Sequence, residues 1–181
     1  MSFIARPQRA IFVSITKPCV VMDYNHFAYG EQLATQLRPI NHCPEKPRFF
    51  EAFGIEDLYT FEDKLSSVTG TILIAVDGYE SDSKGNRGDG LNDTRQYAFI
   101  VARNTVSDRV ETVKQAFADC RIICKQIRNK LFQDAQLACL IDRDTQINGI
   151  GPIGDNFYGC MLSFSVEENE NCQLDATYWK E

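Results

Sequence analysis

Two aspartates have the residue type and spacing that catalysis most often requires. Asp142 and Asp144 lie in the segment LIDRDTQ, which we predict to be the end of a β-strand. Alternate residues of a strand point to the same face, so the two carboxylates could bind one divalent cation. No third acid follows at a suitable spacing, and no glycine-rich phosphate loop follows a strand. The alternatives are a metal-dependent hydrolase or nucleotide-processing enzyme, and a polar strand end.

Histidine and cysteine are the residue types that suit a zinc site, and four lie in the N-terminal part of the chain: Cys19, His26, His42 and Cys43. The first two lack the paired spacing of a zinc knuckle, and adjacent side chains such as the last two rarely bind one ion. With two histidines in all, the sequence also offers no nucleophile–base pair. We therefore expect no metal ligand, cofactor or catalytic residue.

The seven cysteines form an odd-numbered set without an export signal, which argues against a disulfide framework. Cys120 and Cys124 are one helical turn apart and could share a metal with Cys139. A thiolate is costly to bury on an apolar face, however. The sequence favours packing as small buried hydrophobes for these three residues and for Cys160, with Cys139 and Cys160 inside apolar strands.

The segment 78–93 (GYESDSKGNRGDGLND) is the most polar stretch of the chain. Its glycines and short polar residues predict a long flexible loop. Asp82, Asp89 and Asp93 faintly resemble an oxygen-ligand loop for calcium, but the glutamate that normally ends such a loop is missing. The lysine of a phosphate loop is also missing. We expect this loop to make protein contacts.

Composition excludes several classes of function. The chain has 181 residues, a net charge of −6 and 44% apolar residues, which suits one acidic globular domain. An acidic chain disfavours general nucleic-acid binding. The basic residues near the end of the long helix are predicted to form a solvated face: Arg121, Lys125, Arg128 and Lys130. No apolar run reaches the length of a membrane span, and no signal peptide is recognisable. We expect synthesis and retention in the cytosol.

One apolar stripe predicts a long amphipathic helix. Its members alternate at spacings of four and three residues: Val106, Val110, Val113, Phe117, Cys120, Cys124, Ile127 and Leu131. Thr105 and Asp108 fit a capping box at its start, and the helix is expected to end near Phe132.

Four apolar segments around this helix predict strands: 71–76, 96–103, 137–142 and 156–166. A turn is expected within 143–155, and a last short strand near Trp179. The resulting ββαββ order indicates an α+β fold, with a mostly antiparallel sheet packed on the long helix.

The first part of the chain is less regular. We expect a domain boundary near residue 70, with the α+β core at 71–181 and an N-terminal part at 1–70. The elements predicted there are an irregular or extended arm with one strand, IFVSI (1–22), a short helix (29–37), a proline-rich loop (38–48) and short helical turns (49–66).

The order of elements from residue 71 onwards resembles tail-completion (tail terminator) and head–tail connector proteins of tailed bacteriophages. The residues that carry this resemblance are YAFIVAR, the helix VETVKQAFADCRIICKQIRNKLFQD, and FYGCMLSFSVEENENCQLDATYW with its Tyr158-Gly159 step. It implies a virion structural protein without an active site, assembled in the host cytoplasm. Such a protein forms a ring, a hexamer or dodecamer, at the neck or tail end and contacts neck, portal or tail-tube proteins. The N-terminal arm and the loop 78–93 are the segments available for such contacts.

A small bacterial adaptor protein is a further alternative. It would bind one partner through the aromatic residues within 49–61. Exposure of Phe49, Phe50 and Phe53 in the monomer would favour this function.

Overall fold

The computed structural model describes residues 24–78, 80–85, 90–106, 109–170 and 173–180. The expected arm 1–22 and its strand, as well as Cys19, Asp89 and Asp108, lie outside these ranges. The helices are α1 (His26–Gln36), α2 (Phe61–Leu65) and α3 (Val110–Gln133), with 3₁₀ helices at Glu56–Thr60 and Ala176–Tyr178. The strands are β1 (Phe49–Phe53), β2 (Thr71–Asp77), β3 (Ser81–Gly85), β4 (Leu91–Asn104), β5 (Gln146–Ile153) and β6 (Phe157–Glu170).

The strands form one six-stranded sheet in the order β1-β2-β4-β6-β5, with β3 also paired to β4. Among the strand pairs of the described residues, only β1–β2 is parallel. β4 pairs with β6 along its whole length, from Leu91 opposite Glu170 to Asn104 opposite Phe157. The predicted α+β class, with a long helix packed on a sheet, is confirmed.

Two apolar clusters cover the two faces of the sheet, because the central strands are apolar on both sides. The first lies under α1 and α3 and includes Leu73, Ala75, Tyr97, Phe99, Val101, Cys160, Leu162 and Phe164. The second lies under α2 and the first 3₁₀ helix and includes Ala52, Ile72, Ile74, Val76, Ala98, Ile100, Ala102 and Phe157. Residues 24–70 therefore contribute a strand and helices to the same sheet and cores as residues 71–170.

α3 is one unbroken helix of 24 residues, as its apolar stripe predicts. Its buried residues are Ala116, Cys120, Ile123, Cys124, Ile127 and Leu131. The first part of the predicted stripe does not pack: Val106 is 53% and Val110 60% exposed. Val113 and Phe117 are half-buried. The buried residues therefore pack the second half of the helix against β4 and β6.

His26, at the start of α1, is 3% exposed. One ring nitrogen lies 3.1 Å from the Ala98 carbonyl oxygen, and the other lies 3.0 Å from the Tyr24 hydroxyl. The neutral imidazole can donate to the carbonyl and accept from the hydroxyl, so it satisfies both groups. Its ring stacks on Phe99, with the ring centroids 4.4 Å apart. Burial lowers the pKa of this histidine to about 4.

The prediction of a strand at 137–142 is wrong. Residues 135–140 form turns, and Ile141 makes a single β-bridge with Val166. Leu137 and Ile141 are both buried, and the Ile141 N–H donates to the Leu137 carbonyl. This spacing of four residues is helical, so it cannot alternate as a strand does. The strand that pairs with β6 is instead β5, which lies inside the expected turn 143–155.

The prediction of a capping box at Thr105 and Asp108 is also wrong. The N-cap residue of α3 is Arg109, whose side chain makes no capping hydrogen bond. The Thr105 hydroxyl instead donates to the Asn156 carbonyl oxygen over 2.9 Å. This bond joins the end of β4 to the start of β6, which explains why the threonine is buried.

Three other segments differ from expectation. The predicted loop 78–93 contains β3 and the first residues of β4, which pair from Ser81 opposite Arg95 to Gly85 opposite Leu91. The expected helical turns of 49–66 are present only after β1. The residues before Trp179 form a 3₁₀ helix, in which the N-cap Asp175 accepts from the Thr177 N–H, so the last strand is wrong.

We predict that His26 makes stability fall with acidification. The unfolded imidazole takes up a proton below about pH 6.5, whereas the folded one stays neutral down to about pH 4. The stability that depends on the neutral His26 imidazole is therefore fully present well above pH 6.5, and it declines as the pH falls below that value. Between pH 6.5 and 5 the loss from this group is about 2 kcal/mol. His26→Gln should flatten this part of the curve in urea titrations, whereas His42→Gln should keep it. Equal slopes in wild type and His26→Gln would contradict the prediction.

We predict that Gly159 cannot carry a side chain. A Cβ atom there would lie 1.9 Å from the Val101 carbonyl oxygen of the paired strand. Gly159→Ala must push β6 away from β4 and should cost about 3 kcal/mol or more in the free energy of unfolding. Gly85→Ala is the matched control, since nothing lies within 4 Å of its Cβ position. Chemical denaturation of both variants checks this, and equal stabilities would be the contrary result.

Candidate functional site

Asp142 and Asp144 do not form a paired-carboxylate site on a strand. Both are exposed and lie in the connection before β5. The Asp142 carboxylate accepts the Asp144 N–H over 3.0 Å, and the Asp142 N–H donates to the Ser165 carbonyl. This is the hydrogen bonding of an aspartate-stabilised turn. The geometry assigns Asp142 to holding the chain against β6.

The zinc candidates that the structure describes, His26, His42 and Cys43, are not brought together as a ligand set, and Cys19 lies outside the described residues. His26 uses both ring nitrogens inside the core. His42 accepts the Arg48 N–H on Nδ1 over 3.0 Å, and its Nε2 lies 3.9 Å from Glu31. Cys43 is half-buried in a small turn, bridged to Lys46. Among the described residues, no group of three or more histidine, cysteine, aspartate or glutamate side chains could hold a metal ion.

Three cysteines are small core residues, as predicted. Cys120, Cys124 and Cys160 are buried free thiols. Burial raises the pKa of Cys120 to about 12 and raises that of Cys124 further, so neither forms a thiolate at neutral pH. Cys139 contradicts the prediction, because it is exposed in a turn and is disulfide-bonded. It therefore shares no metal with the other two.

Two of the three aspartates that faintly resemble calcium ligands lie on paired strands, and the third, Asp89, lies outside the described residues. Asp82 is on β3 and Asp93 on β4, on strands that pair antiparallel. The Ser83 hydroxyl donates to the Asp93 carboxylate. The hydrogen bond fixes Asp93 across the hairpin, which is a structural use of its carboxylate.

A cavity of about 310 Å³ lies between the first 3₁₀ helix and β5. Its apolar wall includes Ile55, Leu58, Ile150 and Ile153, and Glu62 is the one carboxylate that lines it among the described residues. A single carboxylate beside apolar walls lacks the acid–base pair that most hydrolytic sites use. The cavity is therefore suited to an apolar side chain.

The aromatic residues within 49–61 do not form one exposed cluster. Phe49 and Phe50 are half-buried and pack on opposite faces of the sheet. Phe61 is fully buried. Phe53 is 70% and Tyr59 87% exposed. Of the three phenylalanines whose exposure would favour an adaptor, one is exposed.

The described C-terminal residues carry the densest exposed apolar surface. Leu174 is 79%, Tyr178 85% and Trp179 67% exposed, so one eight-residue segment holds three of the eight exposed large apolar side chains among the described residues. Tryptophan and tyrosine are the side-chain types that protein–protein interfaces use most as binding hot spots. We call residues 173–180 the C-terminal segment.

The sequence predicts a short last strand near Trp179, and that prediction does not identify the exposed apolar side chains of this segment, QLDATYWK. The signal that was available is the lack of alternation. Leu174 and Tyr178 are four residues apart, but Trp179 follows directly, so the three exposed side chains do not all fit one period of two.

Comparison of the sequence with protein-family models and with curated protein sequences finds no match. Among the described residues, no helix combines the length and apolar character that crossing a bilayer requires.

We predict that Asp142 acts in stability and not in metal binding. Asp142→Ala removes the acceptor for the Asp144 N–H and should cost about 1 kcal/mol in the free energy of unfolding. Asp144→Ala, the control, should change it by less than about 0.5 kcal/mol. Thermal unfolding with and without Mg²⁺ measures both effects. A rise in Tm of several degrees with Mg²⁺, lost in both variants, would restore the paired-carboxylate site.

Proposed function

We propose that this protein is a ring-forming structural component of a phage virion, placed at the neck or the tail end. The observation that carries the proposal is the C-terminal segment, which presents Leu174, Tyr178 and Trp179 to solvent from a folded body. A monomer gains nothing from keeping these side chains in water. A neighbouring copy or a neck protein could bury them.

The order of elements supports the same proposal. The resemblance to tail-completion and connector proteins depends on a strand, a long helix and a later strand with an aromatic-glycine step. β4, α3 and β6 follow in that order, and Tyr158-Gly159 lies in β6 opposite Arg103 and Ala102. The glycine is required by the close approach of the two strands, so this part of the pattern has a physical basis.

A closed ring needs heterologous contacts, in which one surface of a copy binds a different surface of the next. The C-terminal segment is one such surface. The cavity beside Ile150 and Ile153, with exposed Tyr59 at its rim, is a second apolar surface elsewhere on the molecule. Two distinct apolar surfaces on one chain suit head-to-tail association.

The rival function, a metal-dependent hydrolase or nucleotide-processing enzyme, has less support. Asp142 is engaged in a turn and His26 in the core. The adaptor alternative depends on exposed aromatic residues, of which Phe53 and Tyr59 remain. Both side chains also fit a surface for association between copies.

We predict that the protein assembles through the C-terminal segment. Size-exclusion chromatography with light scattering should give a closed oligomer at high protein concentration, and electron microscopy should show rings. Trp179→Ser should raise the dissociation constant at least about tenfold, because a buried tryptophan at an interface is worth 2 kcal/mol or more. Tyr178→Ser should act in the same direction.

Ile122→Ser is the matched control for this experiment. Ile122 is a large apolar residue that is 60% exposed and belongs to α3, not to the C-terminal segment. Its substitution should leave assembly unchanged. A particle that stays monomeric at high concentration and with neck or tail proteins present would refute the proposed function.

A further inference from the structure

The cavity between the first 3₁₀ helix and β5 has room for one large side chain. Its volume is about 310 Å³, at the lower end of the range of about 300–1,000 Å³ that ligand pockets cover. Leu58 and Ile153 in its wall are buried, and Ile55 and Ile150 are half-buried. Burying an apolar group against such a wall is favourable. The size and the lining therefore suit a single aromatic ring better than an extended segment.

Glu62 gives this cavity a hydrogen-bond acceptor. Its side chain is exposed, and among the described residues no hydrogen bond or ion pair engages its carboxylate. An ionised carboxylate accepts hydrogen bonds and donates none. The cavity is thus matched to an apolar occupant that carries an N–H or O–H donor.

Trp179 is the side chain of this protein that best fits both requirements. An indole combines a large apolar ring system with one N–H, which is a donor only. Trp179 is 67% exposed, and in the described part of the chain its indole N–H has no acceptor. The neighbouring Tyr178 is 85% exposed, and Tyr59 at the cavity is 87% exposed. These two rings can form an aromatic pair at the rim when the indole occupies the cavity.

The charges around the two surfaces favour the same contact. The helical wall of the cavity, residues 56–65, is acidic. Its charged residues are Glu56, Asp57, Glu62, Asp63 and Lys64. In the sequence Lys180 separates Trp179 from Glu181, so the charge nearest the indole is positive. An indole beside Glu62 therefore brings an ammonium group towards the acidic wall.

The two surfaces do not meet within one copy. All residues of the C-terminal segment are exposed, and none of those eight residues lines the cavity. Every copy carries both surfaces, so a contact between two copies leaves one cavity free at one end and one tryptophan free at the other. Such contacts are heterologous, and they continue from copy to copy until the assembly closes.

We propose that Trp179 of one copy inserts into the cavity of the next copy, where its indole N–H donates to the Glu62 carboxylate. This contact rests on the proposed function, ring formation, and it specifies which two surfaces of neighbouring copies meet. Tyr178 packs on Tyr59 at the rim. A tryptophan anchored in a pocket and surrounded by weaker contacts is the usual composition of an interface hot spot.

Tryptophan fluorescence of the 181-residue chain tests the contact directly, because Trp179 is its one tryptophan. Emission should shift to shorter wavelength, and acrylamide quenching should fall, over the concentrations at which light scattering detects assembly. Emission of an exposed indole from an assembled ring would overturn the proposed contact, while the proposed function would stand. A shifted emission in the dilute monomer would assign the indole to its own cavity and would also overturn the contact. A chain that is monomeric at every concentration would overturn both.

Glu62→Ala tests the hydrogen bond. Glu62 is exposed on α2, so its substitution should leave the fold intact. The indole N–H would then be buried without an acceptor, which should raise the dissociation constant of assembly about tenfold. Asp63→Ala is the matched control, because it removes an equal charge from the next residue, which does not line the cavity, and it should leave assembly nearly unchanged. Equal dissociation constants for Glu62→Ala and wild type would overturn the proposal.

A mixture of two variants tests whether the contact joins different copies. Ile150→Glu places a charge in the cavity wall and should by itself show the emission of an exposed indole. Ile147→Glu is its control, since Ile147 is a half-buried residue of the same strand that packs on the other core, and it should assemble as wild type does. Adding an excess of Trp179→Ser, which has an intact cavity, to Ile150→Glu should restore the shift. No shift in this mixture would overturn the proposal.

Discussion

The whole fold depends on β4, a strand that is buried on both faces and paired along its entire length with β6. Tyr97, Phe99 and Val101 face the helices α1 and α3. Ala98 and Ala102, with small side chains, face the other cluster and leave room there for the rings of larger residues such as Phe61 and Phe157. One strand thus divides the apolar residues into two cores, and each core needs its own cover. The close approach of β6 at Gly159 is a consequence of this pairing.

The elements that the sequence predicts well are those with long, strong patterns. β2, β4, β6 and α3 each carry an apolar run or a period that lasts five residues or more, and all four are present. β5 could not be found in this way. Its sequence, QINGIGPI, is exposed at most positions and contains two glycines and a proline. It therefore has no strand pattern of its own, and it is a strand because it pairs with β6 at the edge of the sheet. The strand predicted at 137–142 is wrong for the opposite reason. The segment is apolar, but its buried residues follow a helical spacing after the end of α3.

The candidate site was less predictable than the fold, because exposure of an apolar side chain is set by its neighbours. Tyr59 and Phe61 are two residues apart, yet one is 87% exposed and the other fully buried. No local pattern separates them. The residues whose types suggested chemistry were also misleading for a physical reason. His26, His42 and Asp142 form hydrogen bonds that the fold needs, and a polar group that is committed to such a bond is costly to reassign.

The balance of forces on the surface explains why association through a few apolar side chains would be selective. Burying an aromatic side chain removes roughly 150–250 Å² from water, worth about 4–6 kcal/mol before costs are counted. A pair of exposed charges contributes at most about 1 kcal/mol and is screened beyond roughly 8 Å. Trp179 and Tyr178 would therefore outweigh the repulsion between copies that each carry a net charge of −6. Association of two bodies costs about 4–15 kcal/mol, however, so one such contact leaves little surplus. In the proposed closed ring every copy would have two contacts, so closure would be the state in which these side chains suffice.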